Sequence, residues 1–394
     1  MAKKKLEGAG LRGQVAGHTA LSTVGKAGKG LTYRGYAIEE LSEKATFEEV
    51  AYMLLYGNLP NQSEYDNYSS KLKSYRKLPE ELKEVLQRIP GSAHPMDVLR
   101  TGCSMLGNLE PEGDFSNQSE TADRILAAMP SIITYWYRFS HEGESMETET
   151  DHLTIGGQFL SLLTGKEPSE EHARALDVSL ILYAEHGFNA STFTARICAS
   201  TLSDMHSCIT GAIGTLRGPL HGGANEAAMG MIEKFSSREE ANEGVKRMLA
   251  NKEKIMGFGH AVYTNEDPRN KIIKAWSKKL GESVGDTLLY EVSEEVEKVM
   301  AEEKNLFANT DFYRTAWTGK MWDYAYTGYN LTAVTGNLEI MAAGTDNTAA
   351  ASADGSVFIT GKKWVDIEAC TENVDITAGK KEINLYAQDT TDGH

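Results

Sequence analysis

Two histidines of this chain stand beside glycines: His221 in Gly218-Pro219-Leu220-His221-Gly222-Gly223-Ala224-Asn225, and His260 in Gly257-Phe258-Gly259-His260-Ala261-Val262-Tyr263. A carboxylate follows at Asp311, in Asn309-Thr310-Asp311-Phe312-Tyr313. Two imidazoles and one carboxylate are a set for moving protons next to a carbonyl. Glycine beside a histidine removes Cβ bulk, so that backbone can approach a ligand closely. The run Ala224–Met229 is helix-forming and places His221 near a helix N-terminus. The positive end of the helix dipole disfavours a second positive charge there and favours the neutral imidazole. Such an imidazole donates a hydrogen bond to an oxyanion without surrendering its proton. The His260 segment closes on Asp267-Pro268-Arg269, an N-cap followed by proline at the first helical position. This fixes Arg269 in the first turn, in reach of whatever His260 touches, and an arginine so held suits a carboxylate.

Taken singly, a histidine among glycines is more often part of a turn than a catalyst, and an Asp after Asn-Thr is an ordinary capping residue. The co-occurrence of the three in order raises their standing. Helices must position them, and up to about residue 305 the chain reads as overwhelmingly helical. Thr46-Phe47-Glu48-Glu49 is a capping box opening the apolar run Tyr52–Leu55, which Gly57 and Pro60 end. Further helices are expected at about 64–76, 79–88, 95–106, 120–138, 152–163, 169–186, 191–212, 224–235, 237–250, 268–280 and 287–304. Ala173, Leu176, Leu180, Ile181 and Ala184 form a buried stripe. It delivers His186 at a helix C-terminus, where a cap or a ligand-binding imidazole is at home. Gly25-Lys26-Ala27-Gly28-Lys29-Gly30 lacks the Walker spelling and a preceding strand, so it reads as a plain turn.

With 394 residues, 41% of them hydrophobic, the chain can bury one large or two unequal domains. Forty basic against 56 acidic residues give a formal charge of −16, which argues against a nucleic-acid partner. An anionic ligand then has to be met by a local basic cluster. Cys103, Cys198, Cys208 and Cys370 follow no metal-ligand or CxxC spacing and read as free buried thiols of a reducing cytoplasm. No apolar run reaches transmembrane length, and Lys3-Lys4-Lys5 lacks the apolar stretch of a signal peptide, so a cytoplasmic protein without a membrane partner is expected.

The combination of His221, His260 with Asp267-Pro268-Arg269 behind it, and Asp311 resembles the catalytic residues of the citrate synthase family. Gly8–Gly13, Leu31–Tyr36, Leu182–His186 and Asn189–Phe193 are most similar to the bacterial members that make 2-methylcitrate. The resemblance runs from residue 1 to about 314. It implies a mainly α, citrate-synthase-like two-domain helical fold, with a large domain of 1–221 plus 315–394 and a small domain of 222–314, in a homodimer. It implies condensation of propionyl-CoA with oxaloacetate and water to 2-methylcitrate and CoA, with no metal or other cofactor. Acetyl-CoA, as in citrate synthase proper, is the runner-up substrate, and a non-catalytic helical dimer is the reading from a different class. By resemblance His221 stabilises the enol of the acyl-CoA, Asp311 removes its α-proton, and His260 polarises the ketone of oxaloacetate. His186, Arg269 and Asn189 would hold oxaloacetate, and Gly257, Phe258, Gly259, Ala261 and Val262 the CoA thioester.

Three features depart from the family. Gly187 stands where an acidic residue is common, and Ala261 where bacterial members commonly have arginine. From Thr315 to His394 there is no arginine and only five lysines, and Ser356–Thr360 and Glu382–Tyr386 read as short strands. The family's C-terminal part is helical and supplies further arginines, which have no counterpart here. A misread stretch is the first explanation, ahead of a genuine replacement or a divergent tail that reaches the same fold, because local preference contradicts a helical layer.

Overall fold

The computed structural model describes residues 19–25, 30–260 and 262–313, with two further two-residue strands. By internal contacts the chain divides into Met1–Ala325 and Tyr326–His394. In the second unit β4 (Leu338–Glu339) pairs parallel with β5 (Val365–Asp366). The strands expected at 356–360 and 382–386 lie outside the described residues, as does Cys370.

Among its described residues the first unit is helical except at the beginning. An antiparallel meander of β1 (Ser22–Val24), β2 (Leu31–Tyr33) and β3 (Tyr36–Ala37) opens it. The sequence reading did not anticipate this sheet, because strands of two or three residues are too short to display a period of two. Gly25 N–H donates to the Gly30 carbonyl at 3.2 Å, and residues 26–29, expected to form a plain turn, lie outside the described residues. Tyr33 is fully buried, and its hydroxyl donates to the carbonyls of Ile181 (3.0 Å) and Leu182 (3.3 Å).

Fourteen α-helices follow among the described residues. They are α1 (Ile38–Lys44), α2 (Phe47–Tyr56), α3 (Gln62–Ser74), α4 (Glu80–Arg88), α5 (Pro95–Leu109), α6 (Gln118–Tyr137) and α7 (Ile155–Thr164). The second half holds α8 (Glu170–Tyr183), α9 (Ala190–Ala199), α10 (Met205–Leu216), α11 (Ala224–Ile232), α12 (Arg238–Ala250), α13 (Asn270–Ser283) and α14 (Leu288–Lys304). The capping box of α2 has both arms, Glu49 N–H on Thr46 Oγ1 and Thr46 N–H on Glu49 Oε2.

Two expected helices differ from those observed. The continuous helix at 191–212 is split into α9 and α10. Ser200 and Thr201 turn their hydroxyls back onto the carbonyls of Ile197 and Cys198, Leu202 takes a left-handed φ of 63°, and Asp204 caps α10 by accepting from Ser207 N–H. The helix expected to reach His186 ends at Tyr183, so His186 lies in the α8–α9 loop. Gly187 there has a φ of 61°, a conformation that glycine adopts without strain. Of the cysteines, Cys103 and Cys208 are buried free thiols, whereas Cys198 is only half-buried.

One apolar cluster runs from Leu31 and Tyr33 through Val178, Ile181 and Leu182 of α8 to Ile273, Val296, Phe312 and Tyr313. Tyr183 and Ala184, just before the His186 loop, and Phe258, two residues from His260, pack against it. Burying side chains of this size is worth about 1.5–3 kcal/mol each. No described helix is long and apolar enough to cross a membrane.

Candidate active site

Four connecting segments carry the residues singled out by the sequence: the α8–α9 loop, the α10–α11 turn, the α12–α13 loop, and the chain after α14. Two of them are tied together by backbone. Phe258 and Ala308 form an antiparallel bridge, Gly259 N–H donates to the Phe307 carbonyl at 2.8 Å, and Asn309 N–H donates to the Gly257 carbonyl at 3.0 Å. The side-chain amide of Asn309 adds a bond to the Gly259 carbonyl at 3.0 Å. Gly257 sits at a φ of 86°, and a Cβ there would lie 2.8 Å from the Phe312 ring. The His260 segment and the Asp311 segment therefore move as one piece.

His260 Nδ1 accepts from the backbone N–H groups of Val262 (3.0 Å) and Tyr263 (3.2 Å). Backbone N–H can only donate, so the ring proton is on Nε2. The His186 ring lies 5.0 Å from that of His260, and its Nε2 is 3.0 Å from the Tyr263 hydroxyl. Burial pushes His186 down to about 3, helped by the positive charges of Arg269 and His260. Burial also lowers His260, with Arg269 acting in the same direction and the carboxylates of Asp267 and Asp311 opposing. Both imidazoles are thereby neutral at pH 7.

Arg269 is buried, and its guanidinium is gripped by Asp267 as a fork: Nε on Oδ1 at 3.0 Å and Nη2 on Oδ2 at 2.8 Å. Burial alone would raise the Asp267 carboxyl, but the bonds and charge of Arg269 hold it below its ordinary value. The helix itself begins at Asn270, two residues later than expected, with Asp267 capping the preceding turn by accepting from Arg269 N–H at 3.1 Å. The fork uses Nε and one N–H of Nη2, so Nη1 and the second N–H of Nη2 are the donors that can meet a ligand carboxylate. The guanidinium carbon is 5.9 Å from the centroid of the Tyr183 ring, and the Tyr183 hydroxyl donates to Asp311 Oδ1 at 2.7 Å. Asp311 N–H is in turn fixed on Asn309 Oδ1 at 3.0 Å.

His221 lies in the turn before α11, three residues from its first residue Ala224. Its Nε2 is 3.3 Å from Ser191 N and 2.9 Å from Ser191 Oγ. The backbone donor makes Nε2 an acceptor, which leaves the proton on Nδ1. The Ser191 hydroxyl is also 2.8 Å from Asn189 Oδ1 and can donate to only one of the two. Burial is the first cause of a lowered His221, and the Asp311 carboxylate works against it. Neutrality at this position thus has a nearer origin than the helix dipole. Asp311 acts on both His221 and His260, which places the carboxylate in electrostatic range of both imidazoles.

The structure brings His186, His260, Arg269 and Asp311 into one constellation. Asn189 caps α9, its Oδ1 accepting from Thr192 N–H at 3.0 Å, so only its NH₂ is left to meet a ligand. Gly257, Phe258 and Gly259 lie in the bridged segment, with the Phe258 ring 4.5 Å from that of Phe312, and Val262 is in the loop that holds His260. Ala261 lies outside the described residues. Sequence reasoning missed Tyr183, Ser191, Tyr263 and Thr310, and read Asp267 only as a cap. Ser191 and Tyr183 each sit within three residues of a residue that was singled out, but nothing local signals their partners.

The family model for the citrate synthase C-terminal domain matches residues 10–321. A 2-methylcitrate synthase of Shewanella oneidensis is 64% identical over 313 residues, covering 79% of this chain and 84% of that one. A citrate synthase of Deinococcus radiodurans is 39% identical over 310 residues, covering 77% and 82%. Among solved structures, the citrate synthase of Thermotoga maritima has a TM-score of 0.71 at 35% identity, covering 80% of this chain and 86% of its own. The ternary complex of carboxymethyl coenzyme A and oxaloacetate with the citrate synthase of Thermoplasma acidophilum has a TM-score of 0.75 at 28% identity, covering 79% and 84%. On this shared sequence and this shared helical fold, the chain belongs to the citrate synthase family.

Proposed function

We propose that the protein condenses propionyl-CoA with oxaloacetate and water, releasing 2-methylcitrate and CoA. The observation that carries the choice of acyl group is the 64% identity to a 2-methylcitrate synthase over 313 residues, against 39% for a citrate synthase over 310. Asp311 takes the α-proton of the thioester, while Nδ1–H of His221 donates to the thioester oxygen as it becomes an enolate. The α-carbon attacks the ketone of oxaloacetate, whose oxygen receives the Nε2–H of His260. Water then hydrolyses the resulting thioester, and CoA leaves as the thiol. Arg269 through Nη1 and the second N–H of Nη2, together with His186 and the NH₂ of Asn189, binds oxaloacetate. Gly257, Phe258, Gly259, Ala261 and Val262 line the thioester side. No metal or redox cofactor has a step in this scheme.

The small domain, 222–314, closes on the helices of 1–221 to exclude water from the enolate. A homodimer is supported by apolar side chains on α9 and in the turns on either side of α10: Ile197 is 54% exposed, Leu202 75% and Leu220 83%. The protein works in the cytoplasm.

Propionyl and acetyl groups differ by one methylene, worth about 1–3 kcal/mol in an apolar pocket. CoA release is therefore measured with both thioesters at saturating oxaloacetate. A kcat/KM for propionyl-CoA about tenfold or more above that for acetyl-CoA is expected. The reverse order assigns citrate synthase activity, and no release with either thioester assigns the non-catalytic reading, which the arginine-free stretch 315–394 favours.

A further inference from the structure

Asp267 takes part in no proton transfer of the proposed reaction, yet it is the most heavily bonded carboxylate of the site. Its side chain is wholly buried and receives five donors. Arg269 supplies its backbone N–H and Nε to Oδ1 and Nη2 to Oδ2; Thr310, 43 residues further on, supplies its hydroxyl at 2.9 Å and its backbone N–H at 3.3 Å to the same Oδ2. Thr310 is itself buried and adjoins Asp311. We propose that Asp267 is a positioning residue that couples the Arg269 clamp to the Asp311 base, so that occupancy of the oxaloacetate side sets the backbone from which the base projects. This deepens the reading above and rests on it.

The coupling needs a carboxylate. All five partners are donors, and an ionised carboxylate is acceptor-only with about four lone-pair sites. An asparagine presents one accepting oxygen and one NH₂; in either orientation the NH₂ faces a donor of Arg269, and in one it faces Thr310 as well. The bonds run to ionised groups in a buried site, where such bonds are strong. Pulling Arg269 toward a ligand carboxylate therefore draws Oδ2, and with it Thr310.

The test compares wild type, Thr310→Val, Thr310→Ser and Asp267→Asn. Oxaloacetate affinity is read by calorimetry, turnover by CoA release from propionyl-CoA, and backbone order by hydrogen exchange at 309–313. Oxaloacetate should slow that exchange in the wild type. Thr310→Val keeps the backbone bond but loses the hydroxyl, and should weaken the protection and lower kcat about tenfold, the order expected for one bond to a charged group, with oxaloacetate affinity held within about twofold. Thr310→Ser should restore both, and Asp267→Asn should lose affinity and turnover together. Protection retained at the wild-type level in Thr310→Val, with unchanged kcat, overturns the coupling. If the wild type neither binds oxaloacetate nor releases CoA, the functional reading falls. The link is then judged without ligand: faster exchange at 309–313 in Asp267→Asn supports it, and unchanged exchange overturns it.

Discussion

Replacing Ser191 by alanine separates the two donors that face His221. The backbone N–H, 3.3 Å from Nε2, stays, while the hydroxyl at 2.9 Å is removed. If the backbone donor sets the tautomer, the proton remains on Nδ1 and the imidazole keeps its role. What is lost is at most one neutral hydrogen bond, about 0.5–1.5 kcal/mol net. Sharing of the hydroxyl with Asn189 Oδ1 puts the effect toward the lower end. At 1.36 kcal/mol per factor of ten, kcat should fall about 2- to 13-fold. The loss should appear in exchange of the propionyl-CoA α-hydrogens with deuterated solvent, and oxaloacetate affinity should hold. A loss beyond about 100-fold refutes the reasoning, because it would make the hydroxyl the determinant of the tautomer. A defect confined to oxaloacetate binding would refute the assignment of His221 to the thioester.

Asp311→Asn keeps an oxygen for the Tyr183 hydroxyl but removes the proton acceptor. Turnover should fall about 10²- to 10⁴-fold with little change in oxaloacetate affinity, and near-normal turnover excludes Asp311 as the base. His221→Ala should block α-hydrogen exchange while oxaloacetate still binds, and His260→Ala should weaken polarisation of bound oxaloacetate; identical defects in both assays exclude the division of roles. His186 is held neutral down to about pH 3, whereas in the unfolded chain it takes up a proton near its ordinary 6.5. The unfolded state therefore binds more protons between these values, and stability must fall as pH drops from about 6.5 toward 3. Thermal unfolding across that range should show a shallower slope in His186→Gln, and an unchanged slope excludes the assignment. Gly257→Ala meets the Phe312 ring and an unfavourable φ, and should destabilise by about 2 kcal/mol or more in denaturant unfolding. Oxaloacetate should protect backbone near 215–225 and 257–270 from exchange if the proposed domains close, and peptide mass mapping of 315–394 decides whether that stretch is misread.

The parts of the site visible in the sequence were those with local punctuation. Glycines bracket His221 and His260, and Asp-Pro-Arg announces Arg269, so residue type and spacing sufficed. Tyr183 contacts Asp311 across 128 residues, and His186 meets Tyr263 across 77. Nothing in the neighbourhood of either tyrosine encodes its partner. The helices followed the same division. Those with clear caps, such as α2 and α12, were legible, whereas the break between α9 and α10 combines the Asp204 cap and two back-bonded hydroxyls with a left-handed Leu202 that no propensity favours.

Tyr33 has a further consequence for how the molecule is made. The carbonyls that accept its hydroxyl lie 148 and 149 residues downstream. At a synthesis rate of about 5–20 residues per second, α8 leaves the ribosome roughly 7–30 s after β2. For that interval the Tyr33 hydroxyl lacks these acceptors, and the short sheet can pack only on the helices that follow it directly, such as α1. Closing so long a loop also costs entropy before any contact repays it, so this step is slow even once the chain is complete. The anchoring of β2 through Tyr33 is thus a late event in the making of this fold.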